Sequence, residues 1–405
     1  MKVTVKPGFG KGKAAAPPSK SMAQRYLICA ALCEGTAGIE NIAFSDDVNA
    51  ALRCVKALGA EVRTEKNTAF VTGKINPEDG AVLDCSSSGA TLRFLIPVAL
   101  LFNREIIFTG TQQLFSRPLG VYKKICADCK ADFELGEGSL KIKGRLRPGR
   151  YEIPGDVSSQ FVSGLLFALP LLEKPSEIVL KTPAQSKSYI DMTLSALHRF
   201  GISAGWSGEN KIAVPGMQKY SVTDAAVPGD YSNAAFFAAL NSLGSEIEIT
   251  GLDPLDLQGD RAYEKYLPLL CSGCPQIDIS DCPDLAPVLF AVAAAKNGGV
   301  FTGTRRLALK ECDRAEAMKA ELSKFGAEIK IGENSVTVPG GALRPPKEEL
   351  FGWNDHRIVM ALAVLCTFTG GKIAGAEAVA KSFPDFFERM SELGFNMEME
   401  SCEEL

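Results

Sequence analysis

The 405-residue sequence lacks any excess of basic charge, because 44 Lys and Arg residues are opposed by 48 Asp and Glu residues. The formal net charge is −4. A general attraction to nucleic acid or to an anionic membrane surface is therefore excluded as the basis of function. Any anion-binding site in this protein must gather its cations locally.

The sequence also lacks a cysteine framework, although it contains 12 cysteines. The two CxxC pairs, Cys126 with Cys129 and Cys271 with Cys274, are too far apart in sequence for one local zinc module. We therefore expect free thiols, no metal site and a reducing, cytoplasmic location. The opening "MKVTVKPGFG" alternates like a strand and has no apolar signal-peptide core. "GFGKGK" contains GxG, but no helix follows, so a nucleotide-binding loop is disfavoured.

No uninterrupted apolar run reaches the roughly 20 residues that a bilayer requires, and several of the runs contain proline. The apolar segments are therefore predicted to be buried core helices. Each begins with small polar or charged residues and continues as a few apolar turns. The six segments are "PPSKSMAQRYLICAAL", "SSSGATLRFLIPVALLFN", "SSQFVSGLLFALPLLE", "DYSNAAFFAALNSLG", "PDLAPVLFAVAAAKNG" and "NDHRIVMALAVLCTFTG".

The six segments belong to a repeat, since most of their starts lie about seventy residues apart. An amphipathic helix that stops at a glycine recurs between them, at Gly59, Gly201 and Gly326. Short strands such as "NKIAVPG" and "NSVTVPG" follow. Three repeats precede "DAAVPGD" and three follow it. The sequence thus predicts two similar α/β domains, 19–226 and 227–405, with residues 1–18 added to the second as an extra strand and crossover.

The starts of the core helices carry cations where helix stability alone would not place them. An α-helix N-terminus already bears about half a positive charge. Lys20, Arg25, Arg93 and Arg357 nevertheless lie beside such ends. This arrangement indicates bound anions, and the amount of charge suggests more than one phosphate. Asp230 and Ser232, in contrast, are explained as simple helix N-caps.

Cations gathered in this way should repel one another when no ligand is present. At 4 Å and an effective dielectric constant of 20, one charge pair is worth roughly 4 kcal/mol. We therefore expect the ligand-free site to be loosely held. Ligand should draw the two halves of the protein together and exclude water.

Eight motifs in order identify a family. They are "SKSxxxR", "SGATLR", "SRPL", "SSQF", "SKSYID", "LKECDR", "NDHR" and "KSFPDFF". The chain resembles the 5-enolpyruvylshikimate-3-phosphate synthases, which are 3-phosphoshikimate 1-carboxyvinyltransferases, over essentially its whole length. The resemblance implies the enolpyruvyl transferase fold, with two domains of three βαβαββ units and the active site in the cleft between them.

The resemblance also implies a reaction. The enolpyruvyl group of phosphoenolpyruvate is transferred to the 5-hydroxyl of shikimate 3-phosphate, through a tetrahedral adduct that releases phosphate. This step belongs to chorismate and aromatic amino-acid biosynthesis. No metal or organic cofactor is implied, nor a nucleic-acid or membrane partner, and we expect a monomer.

Carried across by motif, one group of residues would bind shikimate 3-phosphate. Its members are Lys20, Ser21, Arg25, Ser158, Ser159, Gln160, Ser186, Tyr189, Asp284 and Lys310. A second group would bind phosphoenolpyruvate. Its members are Lys20, Gly89, Arg93, Arg117, Gln160, Arg314, His356, Arg357 and Lys381. Gly89 would let the backbone approach the phosphate closely.

The implied catalytic residues are Asp284, Glu311 and Lys20. Asp284 would accept the proton of the 5-hydroxyl, and Glu311, assisted by Lys20, would move the methylene proton. Neighbouring cations lower carboxylate pKa values and burial raises them, so the sequence leaves the balance open. His356 fits a helix-start hydrogen bond as well as a site role, whereas His198 is expected to be structural or exposed.

The chain departs from the family pattern at a few positions. Gln24 stands where Asn or His is frequent, and the loop Ser87–Thr91 replaces the commoner Asn-Ala-Gly-Thr-Ala. Gly89 and Arg93 are retained, so phosphoenolpyruvate binding is expected, while the loop shape and the response to the inhibitor glyphosate stay open. Arg306 occupies a position where some members have an Asn that contacts the 3-phosphate.

Two other functions are compatible with parts of the sequence. The sister enolpyruvyl transferase acting on UDP-N-acetylglucosamine often has a cysteine in the mobile loop, whereas "TGTQQLFSRPLG" has none. A catalytically inactive anion-binding scaffold is disfavoured by the presence of Asp284, Glu311 and Lys20 together.

Overall fold

Residues 1–400 are described by a computed structural model, and their contacts divide the chain into two lobes. The first lobe is Pro18–Pro228. The second lobe combines Met1–Pro17 with the segment that begins at Gly229. Each lobe has its own hydrophobic core, so each can be described by itself.

The N-terminal segment contributes two strands to the second lobe, β1 (Lys2–Val5) and β2 (Lys11–Ala15). The first lobe contains, in chain order, α1 (Lys20–Leu32), β3 (Gly35–Glu40), α2 (Asp46–Ala57), β4 (Glu61–Glu65), β5 (Thr68–Gly73), β6 (Ala81–Asp84), α3 (Gly89–Ala99), β7 (Ile106–Thr109), α4 (Gln112–Ser116), α5 (Gly120–Cys129), β8 (Asp132–Gly136), β9 (Ser139–Lys143), β10 (Arg150–Ile153), α6 (Ser159–Ala168), β11 (Ser176–Leu180), α7 (Lys187–Arg199), β12 (Gly205–Gly208), β13 (Lys211–Val214) and β14 (Ala225–Ala226).

The second lobe continues with α8 (Tyr231–Ser242), β15 (Glu246–Thr250), α9 (Tyr263–Ser272), β16 (Gln276–Asp278), α10 (Ala286–Ala295), β17 (Gly298–Thr302), α11 (Arg314–Lys324), β18 (Lys330–Ile331), β19 (Ser335–Pro339), β20 (Leu350–Phe351), α12 (His356–Thr369), β21 (Gly371–Ala374), α13 (Phe386–Glu392) and β22 (Met397–Glu400). Short 3₁₀ turns lie at Leu169–Leu171, Gly259–Ala262, Pro283–Leu285, Arg305–Leu309 and Ala376–Lys381.

Six helices form the cores: α1, α3 and α6 in the first lobe, and α8, α10 and α12 in the second. Nearly every residue of these helices is buried, for example Ala286 through Ala294 in α10. A helix that is apolar on all sides belongs inside a protein or a membrane. Among residues 1–400, none of the helices combines the length and the apolar character needed to cross a bilayer.

The intervening helices are amphipathic. In α2, Val48, Leu52 and Val55 are buried, which is the spacing of one helix face. The chain turns out of this helix at Gly59, whose φ of +107° is a conformation that favours glycine. Gly326 does the same after α11, with a φ of +90°. The glycine stops predicted from the sequence are therefore present.

The sheets repeat one pattern within residues 1–400. Five sheets have four strands, in which the first pair is parallel and the other two pairs are antiparallel. In the sheet β6-β7-β9-β8, Ala81 is opposite Ile106 in the parallel pair, and Ile106 is opposite Ile142 in the antiparallel pair. The other orders are β14-β3-β5-β4, β10-β11-β13-β12, β16-β17-β19-β18 and β20-β21-β1-β22, and a two-stranded sheet pairs β15 with β2.

The N-terminal strand completes a sheet formed by the end of the chain. Val3 in β1 is opposite Ile373 in β21 and Met399 in β22, antiparallel in both cases. Strand β1 thus takes the third place in its sheet, which β19 takes in the preceding repeat. The last repeat is complete only because the first residues of the chain supply a strand.

Candidate active site

Helix N-termini carry the predicted site residues of the first lobe. Lys20 is the first residue of α1, Gly89 of α3 and Ser159 of α6. The hydroxyl oxygens of the capping residues Ser88 and Ser158 accept hydrogen bonds from backbone N–H groups of α3 and α6. The first N–H groups of a helix have no partner within the helix, so these ends favour an anion.

Arg25 is fixed by neutral oxygens of the first lobe. Its Nε donates to Thr193 Oγ1 at 2.8 Å, and its Nη1 and Nη2 donate to the carbonyl oxygens of Ser21 (2.7 Å) and Tyr189 (2.9 Å). The guanidinium also lies 5.1 Å from the ring centroid of Phe94. Burial lowers the pKa of Arg25 to about 10, so it remains a cation at neutral pH. A buried cation held only by neutral groups favours an anionic ligand.

Arg93 links the starts of α3 and α6. Its Nη1 donates to Gln160 Oε1 at 2.7 Å, and its Nη2 donates to the carbonyl oxygen of Pro118 at 3.0 Å. The two helices approach closely at Gly164, where an added Cβ would lie 2.4 Å from the Arg93 carbonyl oxygen. Glycine there permits the packing that brings Gln160 within reach of Arg93.

Gly89 is packed against the guanidinium of Arg117. A Cβ at Gly89 would lie 2.4 Å from Arg117 Nη1 and 2.9 Å from Cζ. The guanidinium takes the space that a side chain at position 89 would need, so glycine here permits the observed position of Arg117. Close approach of a phosphate to the Gly89 backbone stays a prediction.

Lys20 forms an ion pair with an acidic residue of α2. Its Nζ is 2.9 Å from Asp47 Oδ2, and both side chains are only about one-eighth exposed, at 13% and 12%. Asp47 lies in the first turn of α2, where a negative charge also interacts favourably with the helix dipole. The pair holds the long Lys20 side chain in one place.

The remaining predicted residues of the first lobe lie beside these groups. Ser159 and Ser186 are buried, and Tyr189 contacts Arg25 through its carbonyl oxygen. Ser186 adopts a left-handed conformation, with a φ of +56°, immediately before α7. A serine in this unfavourable region costs conformational energy, which is typical of functional sites.

Arg314 is the centre of the charged cluster in the second lobe. Its Nε donates to Asp355 Oδ2 at 2.7 Å, its Nη1 to Asp284 Oδ1 at 2.6 Å and its Nη2 to Glu311 Oε2 at 2.8 Å. The side chain is 1% exposed. The carboxylates outweigh the cost of burying the guanidinium, and the pKa of Arg314 is raised well above its usual value.

Asp284 is shared among three cations. Besides Arg314, Lys310 Nζ lies 3.0 Å from Asp284 Oδ1, and Arg357 Nη2 lies 3.1 Å from Oδ2. Burial raises the pKa of Asp284, but Arg357, Lys310 and Arg314 lower it more, so it lies well below the usual range. This answers the question that the sequence left open: the cations prevail, and Asp284 is ionised.

Lys310 responds in the opposite direction to its burial. Burial lowers the pKa of Lys310, and the negative charge of Asp284 offsets this only in part. The positive charges of Arg314 and Arg306 act in the same direction as burial. Lys310 is thus a more acidic ammonium than a solvated lysine, which suits a group close to proton transfers.

The start of α12 organises Arg357 and His356. Asp355 Oδ1 accepts from the Arg357 backbone N–H at 2.9 Å, and Arg357 Nη1 donates to Ser232 Oγ at 2.5 Å. His356 is 1% exposed, with Nδ1 3.8 Å from Asp355 Oδ1. The prediction that Ser232 serves only the start of its own helix is wrong, because its hydroxyl holds Arg357 of α12.

Lys381 and Arg306 are two further cations of this lobe that the sequence analysis singled out. Lys381 Nζ donates to the carbonyl oxygen of Asn354 at 2.5 Å and to its Oδ1 at 2.7 Å. Arg306 is buried and donates from Nη2 to the Ser280 carbonyl oxygen at 2.7 Å. Both are therefore held in fixed positions in the same lobe as Asp284.

The cysteines and acids do not form a metal site in the described part of the chain. Cys126 and Cys129 are buried on α5, and Cys271 and Cys274 are exposed free thiols. Within residues 1–400, His, Cys, Asp and Glu nowhere form a group of three suited to holding a metal ion. The cluster around Arg314 balances acids with cations instead.

Comparisons with known proteins determine the family. The family model described as EPSP synthase (3-phosphoshikimate 1-carboxyvinyltransferase) matches residues 7–270 and 272–390. This chain belongs to the EPSP synthase family. The family resemblance predicted from the eight motifs is confirmed.

Individual relatives agree with that assignment. The 3-phosphoshikimate 1-carboxyvinyltransferase of Clostridium kluyveri is 40% identical and covers 97% of both chains. The enzyme of that name from Clostridium botulinum strain Alaska E43 is 38% identical over 96% of both chains. An EPSP synthase structure from Acinetobacter baumannii aligns with a TM-score of 0.79 at 23% identity, covering 98% of this chain and 99% of that one. The predicted fold class, the enolpyruvyl transferase fold, is thereby confirmed.

In this EPSP synthase family member, sequence reasoning missed several residues that hold the expected ones. Asp47 and Thr193 bind Lys20 and Arg25, while Asp355 and Ser232 bind Arg314 and Arg357. Asp355 stands in the quoted "NDHR" motif, but the pattern predicts only a helix cap. Their partners lie between 27 and 168 residues away in sequence, and no local pattern indicates such pairs.

Proposed function

We propose that this protein transfers the enolpyruvyl group of phosphoenolpyruvate to the 5-hydroxyl of shikimate 3-phosphate. The products are 5-enolpyruvylshikimate 3-phosphate and phosphate. Family membership over almost the whole chain supports the reaction. The residue assignments are supported by one observation: Asp284 forms ion pairs with Lys310, Arg314 and Arg357.

Asp284 is proposed as the base that takes the proton of the 5-hydroxyl. Its low pKa keeps it ionised, as a base must be, but also makes it a weak base in the ligand-free protein. Phosphoenolpyruvate brings its own phosphate and carboxylate. If these anions engage Arg314 and Arg357, both cations attract Asp284 less, and its basicity rises when substrate is present.

Glu311 is proposed to move the second proton. As the 5-oxygen bonds to C2 of phosphoenolpyruvate, the methylene carbon takes up a proton and becomes a methyl group. In the second half of the reaction the methyl loses a proton, the bond to the phosphate oxygen breaks, and phosphate leaves. Glu311 is 20% exposed and bonded to Arg314, so it can contact a substrate while staying anchored. Lys20 is proposed to assist.

The remaining residues are assigned to one or both of the two substrates. In the first lobe, Ser21, Arg25, Ser158, Ser159, Gln160, Ser186 and Tyr189 are proposed to hold shikimate 3-phosphate, with Lys310 added from the second. Gly89, Arg93, Arg117, Arg314, His356, Arg357 and Lys381 are proposed to hold phosphoenolpyruvate, with Lys20 and Gln160 reaching both substrates. A monomeric state, a cytoplasmic location and the absence of a cofactor stay predictions from the sequence.

Phosphate release distinguishes this proposal from the two rivals. We expect purified protein to release phosphate from phosphoenolpyruvate when shikimate 3-phosphate is added, and not with UDP-N-acetylglucosamine or without an acceptor. Release with the nucleotide sugar alone would assign the protein to the sister reaction. No release with either acceptor would favour an anion-binding scaffold.

Gly89→Ala is expected to weaken phosphoenolpyruvate binding without unfolding the protein. The new Cβ would collide with the Arg117 guanidinium, which lies at the end of a flexible side chain and can move away. Losing a well-placed cation should raise KM for phosphoenolpyruvate about tenfold, which corresponds to about 1.4 kcal/mol. Steady-state kinetics with each substrate varied would test this. An unchanged KM for phosphoenolpyruvate would show that Arg117 does not need its present position.

A further inference from the structure

Gln24 is a buried polar residue, 1% exposed, that lies one turn after Lys20 on α1. Its Nε2 is 3.3 Å from the Asp47 carbonyl oxygen, 3.0 Å from Ser88 Oγ and 3.0 Å from Thr91 Oγ1. These acceptors belong to the first turn of α2, the cap of α3 and the first turn of α3. One side-chain amide therefore connects the starts of three helices.

The orientation of the amide follows from the chemistry of its partners. A backbone carbonyl oxygen can only accept, so the –NH₂ group must face Asp47. That group has two hydrogens for three acceptors, and these protein contacts occupy its donor capacity. The amide nitrogen of Gln24 is therefore engaged in holding protein groups.

Each connection leads to a group assigned to phosphoenolpyruvate. The Asp47 carboxylate holds Lys20 Nζ at 2.9 Å. Ser88 caps α3 through Thr91 N at 3.3 Å and directly precedes Gly89, against which Arg117 packs. Thr91 Oγ1 also donates to Ser88 Oγ at 2.9 Å, which closes the network.

We propose that Gln24 is a positioning residue for phosphoenolpyruvate binding, because it locks the starts of α1, α2 and α3 in the arrangement that fixes Lys20 and Gly89. The proposal rests on the proposed function. It is carried by the direct bonds of Gln24 Nε2 to Ser88 Oγ and Thr91 Oγ1, the two residues that flank the first turn of α3.

Gln24→Met is the sharpest test, because methionine has nearly the same length and no donor. Asp47, Ser88 and Thr91 would lose the two buried amide hydrogens that they share, and the network would relax. Small misplacements at a binding site are costly. We expect KM for phosphoenolpyruvate to rise about tenfold, because Lys20 and Gly89 would both be displaced. KM for shikimate 3-phosphate, which shares only Lys20, should rise by less than about threefold.

Thr193→Val provides a matched comparison in the same lobe. Thr193 Oγ1 is buried and accepts from Arg25 Nε at 2.8 Å, so this variant also removes one buried polar group without changing shape. It should raise KM for shikimate 3-phosphate and leave KM for phosphoenolpyruvate within about twofold. If both variants raise the two KM values equally, Gln24 stabilises the lobe in general and the proposal is wrong.

Val98→Ala separates positioning from stability. Val98 is buried near the C-terminal end of α3, far along the helix from Gly89, and its truncation should lower the melting temperature. We expect both KM values to stay unchanged. If Gln24→Met fails to fold, Thr91→Val removes one of the Gln24 acceptors and should raise KM for phosphoenolpyruvate roughly threefold. A value equal to wild type would overturn the proposal.

A binding measurement keeps this test independent of turnover. Inorganic phosphate should raise the melting temperature of wild-type protein, since a ligand that binds the folded state stabilises it. Gln24→Met should need about tenfold more phosphate for the same shift. If wild-type protein lacks transferase activity but this difference is seen, the proposed function fails while the positioning role stands. Equal phosphate dependence in the two proteins would refute the positioning role.

Discussion

Asp284→Asn is expected to lower kcat about a thousandfold, because general base catalysis typically contributes between a hundredfold and ten-thousandfold. Asparagine keeps the shape of the side chain and one hydrogen-bond acceptor, so Lys310 or Arg314 still has a partner, but no group remains to take the proton of the 5-hydroxyl. KM for both substrates should change far less than kcat. Initial-rate measurements of phosphate release at saturating substrates would give the comparison.

Glu316→Gln is the matched control for this variant, because Glu316 is an exposed acid on α11 in the same lobe. It should behave as wild type in all kinetic constants. A kcat for Asp284→Asn within tenfold of wild type would assign the base to another residue. Glu311→Gln would then be the next variant to examine.

Asp284→Asn should also change how the stability of the protein depends on pH. The folded-state pKa of Asp284 lies well below the unfolded value of about 3.9. Ionised Asp284 therefore stabilises the folded protein above about pH 4, and this contribution is lost as the pH falls towards the folded-state pKa. Asp284→Asn should melt at a lower temperature than wild type at pH 7, with a gap that narrows as the pH falls below 4. A difference in melting temperature that does not change with pH would contradict the low pKa of Asp284 in the folded protein.

Arg314→Met is expected to cause the largest loss of stability. The change leaves Asp284, Glu311 and Asp355 without the guanidinium that they share, and Asp355 is fully buried. Removing one partner of a buried ion pair costs about 3–5 kcal/mol. For a lobe of this size, the melting temperature should fall by roughly 10 °C. Thermal unfolding followed by circular dichroism would measure it.

Arg305→Met is the appropriate control for Arg314→Met. Arg305 lies in the same lobe and pairs with Glu333, but its side chain is 63% exposed. An exposed pair of this kind contributes about 1 kcal/mol at most. If the two variants unfolded at the same temperature, the carboxylates around Arg314 would have to be stabilised by other means.

The fold could be predicted from the sequence because its signals are local and repeated. The apolar segments can be predicted as core helices without knowing which other elements pack against them. Gly59 and Gly326 end helices through their own backbone conformations. Lys20, Arg93 and Arg357 could be predicted to lie near helix starts, because the small polar residues that begin each apolar segment are visible in the sequence. Strand β1 could be predicted to join the C-terminal half because it lies outside the repeat.

The balance of charge was not predictable from the sequence. The cations were expected to repel one another in the absence of ligand, but Asp284, Glu311 and Asp355 neutralise the cluster of the second lobe, and Asp47 neutralises Lys20. These pairs depend on which repeats pack together. Gly89 shows the same limit, because only the packing reveals that Arg117 occupies the space beside it.

The N-terminal strand has a consequence for how the protein is made. The first lobe is one uninterrupted stretch of chain, so everything it needs has been synthesised once residue 228 has emerged from the ribosome. Strand β1, although synthesised before that lobe, has to wait for partners in β21 and β22 that are synthesised after it. Deleting residues 2–5 should therefore damage the second lobe and leave the first lobe able to fold.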